Sequence, residues 1–438
     1  MSVKITIIGT GYVGLVTGAC FAELGHNVIC VDNNIDKIEK LNRGIMPIYE
    51  PGLDQLIEKH SANGQISFTT DLTASVKGRE AIFIAVGTPS NPEDGRADLK
   101  YVLAAAQQIA EAADSFAVVV TKSTVPVGTN RRVAAVLDEH TKDGVELAVA
   151  SNPEFLREGA AIGDFMEPDR IVVGCEHPDA QDIVRRIYAS LSSLGFRYME
   201  TDIESAEMIK YASNAFLAVK VSFINEVADL CEAVGANVAQ VSEGMGTDNR
   251  IGRAFLRPGP GWGGSCFPKD TKALYNTAQD FGVETTIVEA AIGANDARKK
   301  NMAERVIEAC GGSVEGKKIA VLGLTFKGQT DDMRDSPTLD ILPQLTEAGG
   351  NLVAFDPSNP HEAPLLLPDV ALAESPLDAT KDADVLVVAT DWGIFNTYNL
   401  KDMAASMKNP VMVDLRNLFG REDVLKAGFE QYKGLGNV

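Results

Sequence analysis

A chain of 438 residues is too long for one hydrophobic core and points to two or three domains. With 45% hydrophobic and 23% charged residues it has the composition of a soluble globular protein, and a formal net charge of -21 argues against nonspecific binding to nucleic acid or anionic membranes. Any anionic ligand must then be met by lysines and arginines concentrated at its site. No apolar run is long enough to span a bilayer, and MSVKITIIG enters a strand pattern without the basic and apolar regions of a signal peptide, so the expected compartment is the cytoplasm. Six cysteines (Cys20, Cys30, Cys175, Cys231, Cys266, Cys310) are scattered without CxxC or His-Cys spacing, so neither a disulfide framework nor a metal site is expected.

Lys4 to Ile8 reads as a β-branched strand that runs into Gly9-Thr10-Gly11-Tyr12-Val13-Gly14, then an Ala-rich helix pattern to Gly25. A second strand, Val28 to Val31, ends at Asp32, 18 positions beyond Gly14. Strand, GxGxxG, helix, strand and acid in this order form the dinucleotide fingerprint, in which glycines admit a pyrophosphate close to a helix N-terminus. An acid at Asp32 accepts hydrogen bonds from ribose hydroxyls and repels a 2′-phosphate, which favours NAD over NADP. Lys37, five residues on, either touches the ribose or is a solvated helix lysine.

Further strands are expected at Ala81 to Val86, Ala117 to Thr121 and Leu147 to Ala150. They precede Gly87-Thr88-Pro89, Lys122-Ser123-Thr124-Val125-Pro126 and Ser151-Asn152-Pro153-Glu154-Phe155-Leu156-Arg157-Glu158-Gly159. Polar residues past the carboxyl ends of parallel strands lie where open α/β sheets bind ligands, so Thr88, Thr124, Glu154 and Glu158 are site candidates, with turn and capping roles as the alternative.

Thr201-Asp202-Ile203-Glu204 has the form of a capping box, and the sequence then runs to Val234 without Gly or Pro before Gly235. That is a helical rod of roughly 50 Å. Lys210 and Asn214, four apart, project from one face of it. Asp248-Asn249-Arg250-Ile251-Gly252 follows in a polar loop.

Phe255 to Asp270, FLRPGPGWGGSCFPKD, holds four glycines (Gly259, Gly261, Gly263, Gly264) and two prolines (Pro258, Pro260), so it is a loop with a prescribed backbone. A helix with Pro268 at its first position should follow. Cys266 then lies beside exposed amides, the positive end of a helix and Lys269, a setting that favours thiolate. An acid at Asp270 is favourable in a first turn in any case.

The C-terminal part repeats the alternation, with strands at Lys317 to Leu322, Asn351 to Phe355, Asp384 to Ala389 and Val411 to Val413, but lacks GxGxxG. It is a candidate for the nucleotide of a substrate. Lys327, Arg334 and Arg416, at strand ends or in adjoining loops, supply the charge a diphosphate needs; surface solubility is the alternative for each.

The run PGPGWGGSCFPKD resembles the active-site segment of the UDP-glucose 6-dehydrogenase family of nucleotide-sugar dehydrogenases. KSTVP and NPEFLREG are similar to its cofactor and substrate loops, KYASNAF to its central-helix motif, and the motifs follow in the family's order over essentially the whole chain. The resemblance implies an α/β fold of two Rossmann-like doubly wound domains joined by a long central helix. Its parts would be an NAD-binding domain over 1–200, a central helical domain with dimer interface and cysteine loop over 201–300, and a UDP-sugar-binding domain over 315–438. It implies NAD as cofactor, UDP-glucose as substrate, no metal and a homodimer through the central helix.

By that carry-over Gly9, Gly11, Tyr12, Val13, Gly14, Asp32, Lys37, Thr88, Thr124, Glu158, Lys269 and Arg334 would face NAD. Phe155, Leu156, Lys210, Asn214, Phe255, Leu256, Arg257, Gly259, Gly263, Lys327 and Arg416 would contact substrate, and Arg250 would reach the substrate of a neighbouring subunit. The implied chemistry is a four-electron oxidation: the alcohol carbon C6 loses hydride and its hydroxyl a proton, Cys266 captures the aldehyde as a thiohemiacetal, a second hydride transfer gives a thioester, and hydrolysis releases UDP-glucuronate. Lys210 and Asn214 would stabilise developing negative charge, Asp270 would position water or take protons, and Glu154, with Thr124 through water, would be the general base.

Three alternatives remain open at this stage. A GDP-mannose or UDP-N-acetylhexosamine dehydrogenase would share NAD, Cys266 and the fold. A two-electron hydroxy-acid dehydrogenase would need no thiol. An NAD-binding regulator without catalysis would leave the cysteine loop unexplained.

Overall fold

Strands of Val, Ile and Ala without polar alternation suit a parallel sheet covered on both faces, and inner strands of both sheets are built that way. The computed structural model describes residues 2–91 and 94–436, and by internal contacts the chain divides into two compact units, Met1–Ser213 and Asn214–Val438.

In the first unit the strands are β1 (Lys4–Ile8), β2 (Asn27–Val31), β3 (Ile66–Thr69), β4 (Ala81–Ile84), β5 (Ala117–Thr121), β6 (Leu147–Ser151), β7 (Ile171–Cys175) and β8 (Tyr198–Thr201). Among the described residues they form one eight-stranded sheet in the order β3-β2-β1-β4-β5-β6-β7-β8. Every pairing is parallel except β6 with β7. The strand order reverses between β1 and β4, so their carboxyl ends open on the crevice where such sheets bind ligands. The helix Tyr12–Glu23 packs on this sheet so closely that a Cβ at Gly18 would stand 2.6 Å from Cys30 Sγ.

In the second unit β9 (Lys318–Leu322), β10 (Asn351–Phe355), β11 (Ala371–Leu372), β12 (Val385–Val388), β13 (Val411–Asp414) and β14 (Gln431–Lys433) form an all-parallel sheet in the order β11-β10-β9-β12-β13-β14. Its switch point is β9/β12. Gly323, just past β9, has φ 90°, and a Cβ there would meet Thr390 Cβ at 2.2 Å, so this turn needs glycine although it lacks the GxGxxG pattern. Each sheet carries a buried apolar cluster on either face.

The central helix spans Ile203–Val234, 32 residues, and stops at Gly235, which has φ 75°. Its cap is not the expected one. Thr201 belongs to β8, and it is Asp202 that accepts from Ser205 N at 2.7 Å and Ser205 Oγ at 2.8 Å, while Glu204 turns to Arg131 at 2.6 Å. Likewise Pro268 stands second, not first, in the helix Phe267–Asp280. Among the described residues no helix is long and apolar enough to cross a membrane.

The cap assignment predicts that Asp202→Ala lowers the unfolding free energy by about 1 kcal/mol, whereas Thr201→Ala costs less than about 0.5 kcal/mol. Urea unfolding of the two variants distinguishes them.

Candidate active site

The glycine fingerprint closes on itself by contact. Gly9, at φ 103°, donates to Val31 O at 2.7 Å, and a Cβ on it would lie 2.5 Å from Ala85 O. A Cβ on Gly14 would lie 2.0 Å from Gly9 O. Gly11, which precedes the helix Tyr12–Glu23, has open space where its Cβ would be, and its helix begins without a side-chain cap or an acid in the first turn. Asp32 Oδ2 accepts from Thr10 N at 2.9 Å, Thr10 Oγ1 at 2.7 Å and Lys37 Nζ at 3.3 Å, and Oδ1 accepts from Asn34 N at 3.0 Å. Burial would raise the Asp32 carboxyl, but the Thr10 and Asn34 hydrogen bonds and the Lys37 charge outweigh it and hold the group below its usual range. Lys37 thus pairs with Asp32.

The loop after β6 is tied down by a residue outside the sequence-based candidates. Buried Glu50 accepts from Tyr12 Oη, from Gly159 N at 2.7 Å and from Ala161 N at 2.8 Å, joining the glycine-loop helix to the end of NPEFLREG. No motif around Glu50 announces it; three amides meet it only in the folded chain. Thr88 Oγ1 donates to Thr124 O at 2.9 Å, so the loops after β4 and β5 are joined as well.

Glu154 and Lys210 form a buried ion pair, Oε1 to Nζ 2.9 Å, with side chains 5% and 4% exposed. Leu156 N donates to Glu154 Oε2 at 2.6 Å, and the Phe155 ring lies 3.7 Å from the Arg170 guanidinium and 5.5 Å from Lys210 Nζ. Burial alone would raise the Glu154 carboxyl; the Lys210 charge and hydrogen bond, the Leu156 amide and the Lys122 charge overcome it and hold Glu154 below the usual carboxylate range. Lys122, the first residue of KSTVP, is itself buried, its Nζ 3.0 Å from Asn152 Oδ1. Burial, partly offset by Glu154 and reinforced by Lys210, pushes its ammonium down to about 8. The first unit therefore brings Glu154, Phe155 and Lys210 together, and adds Lys122.

In the second unit Cys266 occupies the position just before the helix Phe267–Asp280, half-buried, with Ser265 Oγ 3.4 Å from its Sγ. Lys269 turns its ammonium to Asp270 Oδ1 at 2.6 Å, and Asp270 Oδ2 accepts from Asn214 Nδ2 at 2.6 Å. Asp270, fully buried, therefore links the cysteine's helix to the central one.

The glycines of the cysteine loop are required by what touches them. A Cβ at Gly263 would meet Asp335 O at 2.0 Å, and one at Gly264 the Phe326 ring at 2.7 Å. Gly264 N donates to Arg334 O at 2.9 Å and Gly259 N to Asn225 Oδ1 at 2.8 Å. Arg416 Nη1 stands 3.4 Å from the Cβ position of Gly259, and Arg416 Nε donates to Ala389 O at 2.9 Å. Asp391, unnoticed in the sequence, lies 3.9 Å from Arg257 Nη1; burial would raise its carboxyl, but Arg416, the Gly328 amide and Arg257 hold it low. The Lys327 ammonium lies 5.4 Å from the Phe326 ring centroid. Arg334 is turned to Asp332 at 2.8 Å and Arg250 to Asp248 at 2.6 Å, both largely in solvent. Leu256 is buried and Phe255 holds φ 63°.

Three family models match in succession: the NAD binding domain of the UDP-glucose/GDP-mannose dehydrogenase family over residues 3–192, its central domain over 204–297 and its UDP binding domain over 320–421. The chain belongs to the UDP-glucose/GDP-mannose dehydrogenase family. It is 50% identical over 99% of both chains to a UDP-glucose 6-dehydrogenase of Rhizobium meliloti, and 44% identical to the UDP-glucose 6-dehydrogenase TuaD of Bacillus subtilis over 97% of this chain and 92% of that one. Among solved structures, a UDP-glucose dehydrogenase from Pyrobaculum islandicum superimposes with a TM-score of 0.91 at 36% identity, covering 100% of this chain and 98% of the other. A UDP-D-ManNAc dehydrogenase from Pyrococcus horikoshii gives 0.85 at 30% identity, covering 99% of each.

As a member of this family the protein is an NAD-dependent oxidoreductase. The residues fit the cofactor: Gly11 leaves the helix start open to a diphosphate, and Asp32, ionised, keeps acceptor capacity for ribose hydroxyls because a carboxylate offers about four lone-pair sites.

Lys122 gives a pH test. Its native proton affinity lies below that of an unfolded lysine, so between about pH 8 and pH 10.5 the unfolded chain holds one more proton and native stability rises with pH. Relative to Lys122→Met, the wild type should gain about 3 kcal/mol across that interval. Denaturant titrations at the two ends measure it.

Proposed function

We propose that the protein oxidises the C6 hydroxyl of UDP-glucose to a carboxylate, giving UDP-glucuronate, by way of a thioester on Cys266. The observation that carries this reading is a cysteine at the opening of a helix, in a glycine loop packed against Phe326 and Asp335 of the UDP binding domain, with Asp270 buried one turn below it. NAD, when bound, accepts one hydride in each of two steps. We assign its binding to residues 1–200, dimerisation and the cysteine loop to 201–300, and the UDP-sugar to 315–438.

The thiol needs to be a nucleophile only after the first oxidation. Cys266 Sγ then adds to the aldehyde carbon, the carbonyl oxygen takes the negative charge, and Lys210 and Asn214 stabilise it. Hydride loss from the resulting thiohemiacetal carbon leaves a carbon–sulfur acyl bond. Glu154, with Thr124 through water, takes a proton from the water that attacks this carbon; the carbon–sulfur bond breaks, the thiol is restored and the carboxylate leaves. Asp270, held by Asn214 and Lys269, positions water or receives the hydroxyl proton. Phe155, Leu156, Phe255, Leu256, Arg257, Gly259, Gly263, Lys327 and Arg416 form our substrate set, and Thr88, Glu158, Lys269 and Arg334 complete that for NAD.

We further propose a cytoplasmic homodimer. Phe216, Phe223 and Leu230 stand at seven-residue intervals on the central helix and are 64%, 49% and 61% exposed, an apolar stripe that a second copy of the same helix would cover. Arg250, 89% exposed at its side chain, can then serve the partner's sugar. The buried thiols Cys20, Cys30, Cys175 and Cys231 fit a reducing compartment.

With NAD in excess, UDP-glucose should yield two NADH per sugar consumed in a panel of nucleotide sugars; a yield of one removes the four-electron reading. Cys266→Ala should form no uronic acid. Replacing Phe223 by Asp should convert a dimer to a monomer in sedimentation velocity; a wild type that sediments as a monomer removes the interface.

A further inference from the structure

Lys122 has no part in the scheme above, yet it is a charged group with 4% of its surface exposed. A buried cation is costly unless it is both hydrogen bonded and matched by charge. Its Nζ donates at 3.0 Å to Asn152 Oδ1, a neutral oxygen that also accepts from Tyr188 Oη at 2.6 Å. Asn152 is fixed in turn, its Nδ2 donating to Val172 O at 2.8 Å and its N to Thr121 O at 3.0 Å. One neutral acceptor does not balance the charge. The balancing group is Glu154, two residues beyond Asn152, and the attraction lowers the proton affinity of the carboxylate as it raises that of the amine. The groups facing Lys122 are Glu154 from the loop after β6, Lys210 from the central helix and Cys20 from the helix Tyr12–Glu23, with Tyr188 behind Asn152 and the Phe165 ring 5.9 Å away.

Glu154 is thus served by two cations with different freedom. Lys210 touches it directly and is also the cation assigned to the oxyanion. As negative charge gathers on the reacting oxygen, Lys210 is shared between two anions, and a buried carboxylate with less positive charge beside it takes up a proton. A protonated Glu154 cannot act as a base. Lys122, anchored on Asn152, stays where it is.

We propose that Lys122 is a positioning residue: its fixed, buried ammonium keeps Glu154 ionised, so that the carboxylate can accept a proton from water while Lys210 attends to the oxyanion. The inference rests on the reading of Glu154 as the base of thioester hydrolysis, and its test separates the two.

The full-length enzyme is assayed with UDP-glucose and NAD as a function of pH, together with rapid-quench measurement of the acyl-enzyme. Lys122→Gln keeps a donor for Asn152 Oδ1 and removes the charge, Lys122→Met removes both, and Lys122→Arg keeps the charge. In K122Q and K122M the acid limb of kcat should move up by about one pH unit or more, because loss of a nearby cation raises a carboxyl pKa. Acyl-enzyme should accumulate below the new limb, and KM for both substrates should stay within twofold. K122R should keep the wild-type limb. An unmoved limb in K122Q overturns the inference, whether or not K122M folds, and so does a limb that moves equally in K122R, since charge would then not be the cause. Glu154→Gln is the control: full activity in E154Q removes Glu154 as the base, whereas an inactive E154Q beside an unmoved limb in K122Q removes the role of Lys122 alone.

Discussion

A carboxylate and an ammonium facing each other away from water fix the arrangement of the first unit. Breaking a buried pair by removing one partner typically costs about 3–5 kcal/mol, because the survivor is left charged in a poor solvent. Glu154 and Lys210 are such a pair. The segment from Asn152 to Gly159 is held at one end by this bond and at the other by Glu50, which fastens it to Tyr12 beside the glycine turn. The loop is therefore positioned by charge and amide contacts at both ends, and the aromatic and apolar residues between them, Phe155 and Leu156, are presented without a regular element beneath them.

The second unit solves a related problem with shape. Its cysteine loop runs against the segment that follows β9, where Asp335 and Phe326 occupy the space that side chains at Gly263 and Gly264 would need, and it passes Arg416, just beyond β13, at Gly259. The hydrogen bonds of Asn225 and Asn295 to the backbone at Gly259 and Trp262 complete the support from the long helices. Arg257 and Arg416, beside this loop, are kept in place by Asp391 and by the carbonyl oxygens of Asn417 and Ala389.

How far the sequence could be read follows from where each constraint originates. The glycine fingerprint and Asp32 were legible because their chemistry is set by a short stretch of chain, and β1, β5 and β10 begin and end as their apolar runs indicate. The short strands β3, β7, β8, β11 and β14 were not read; several mix polar with apolar residues, and the antiparallel turn of β7 leaves no mark in composition. The helix cap lies one residue beyond Thr201, at Asp202, because β8 extends through Thr201, a fact of sheet pairing. Lys122 and Glu50 were missed for a deeper reason: a charged side chain looks like surface until its neighbours from distant segments are known. Asp391 was passed over likewise.

The crowding at Gly263 and Gly264 also limits how the enzyme can diverge. With no room for even one added carbon, a side chain at either glycine would have to displace Asp335 or Phe326, and with them the path of the chain ahead of Cys266.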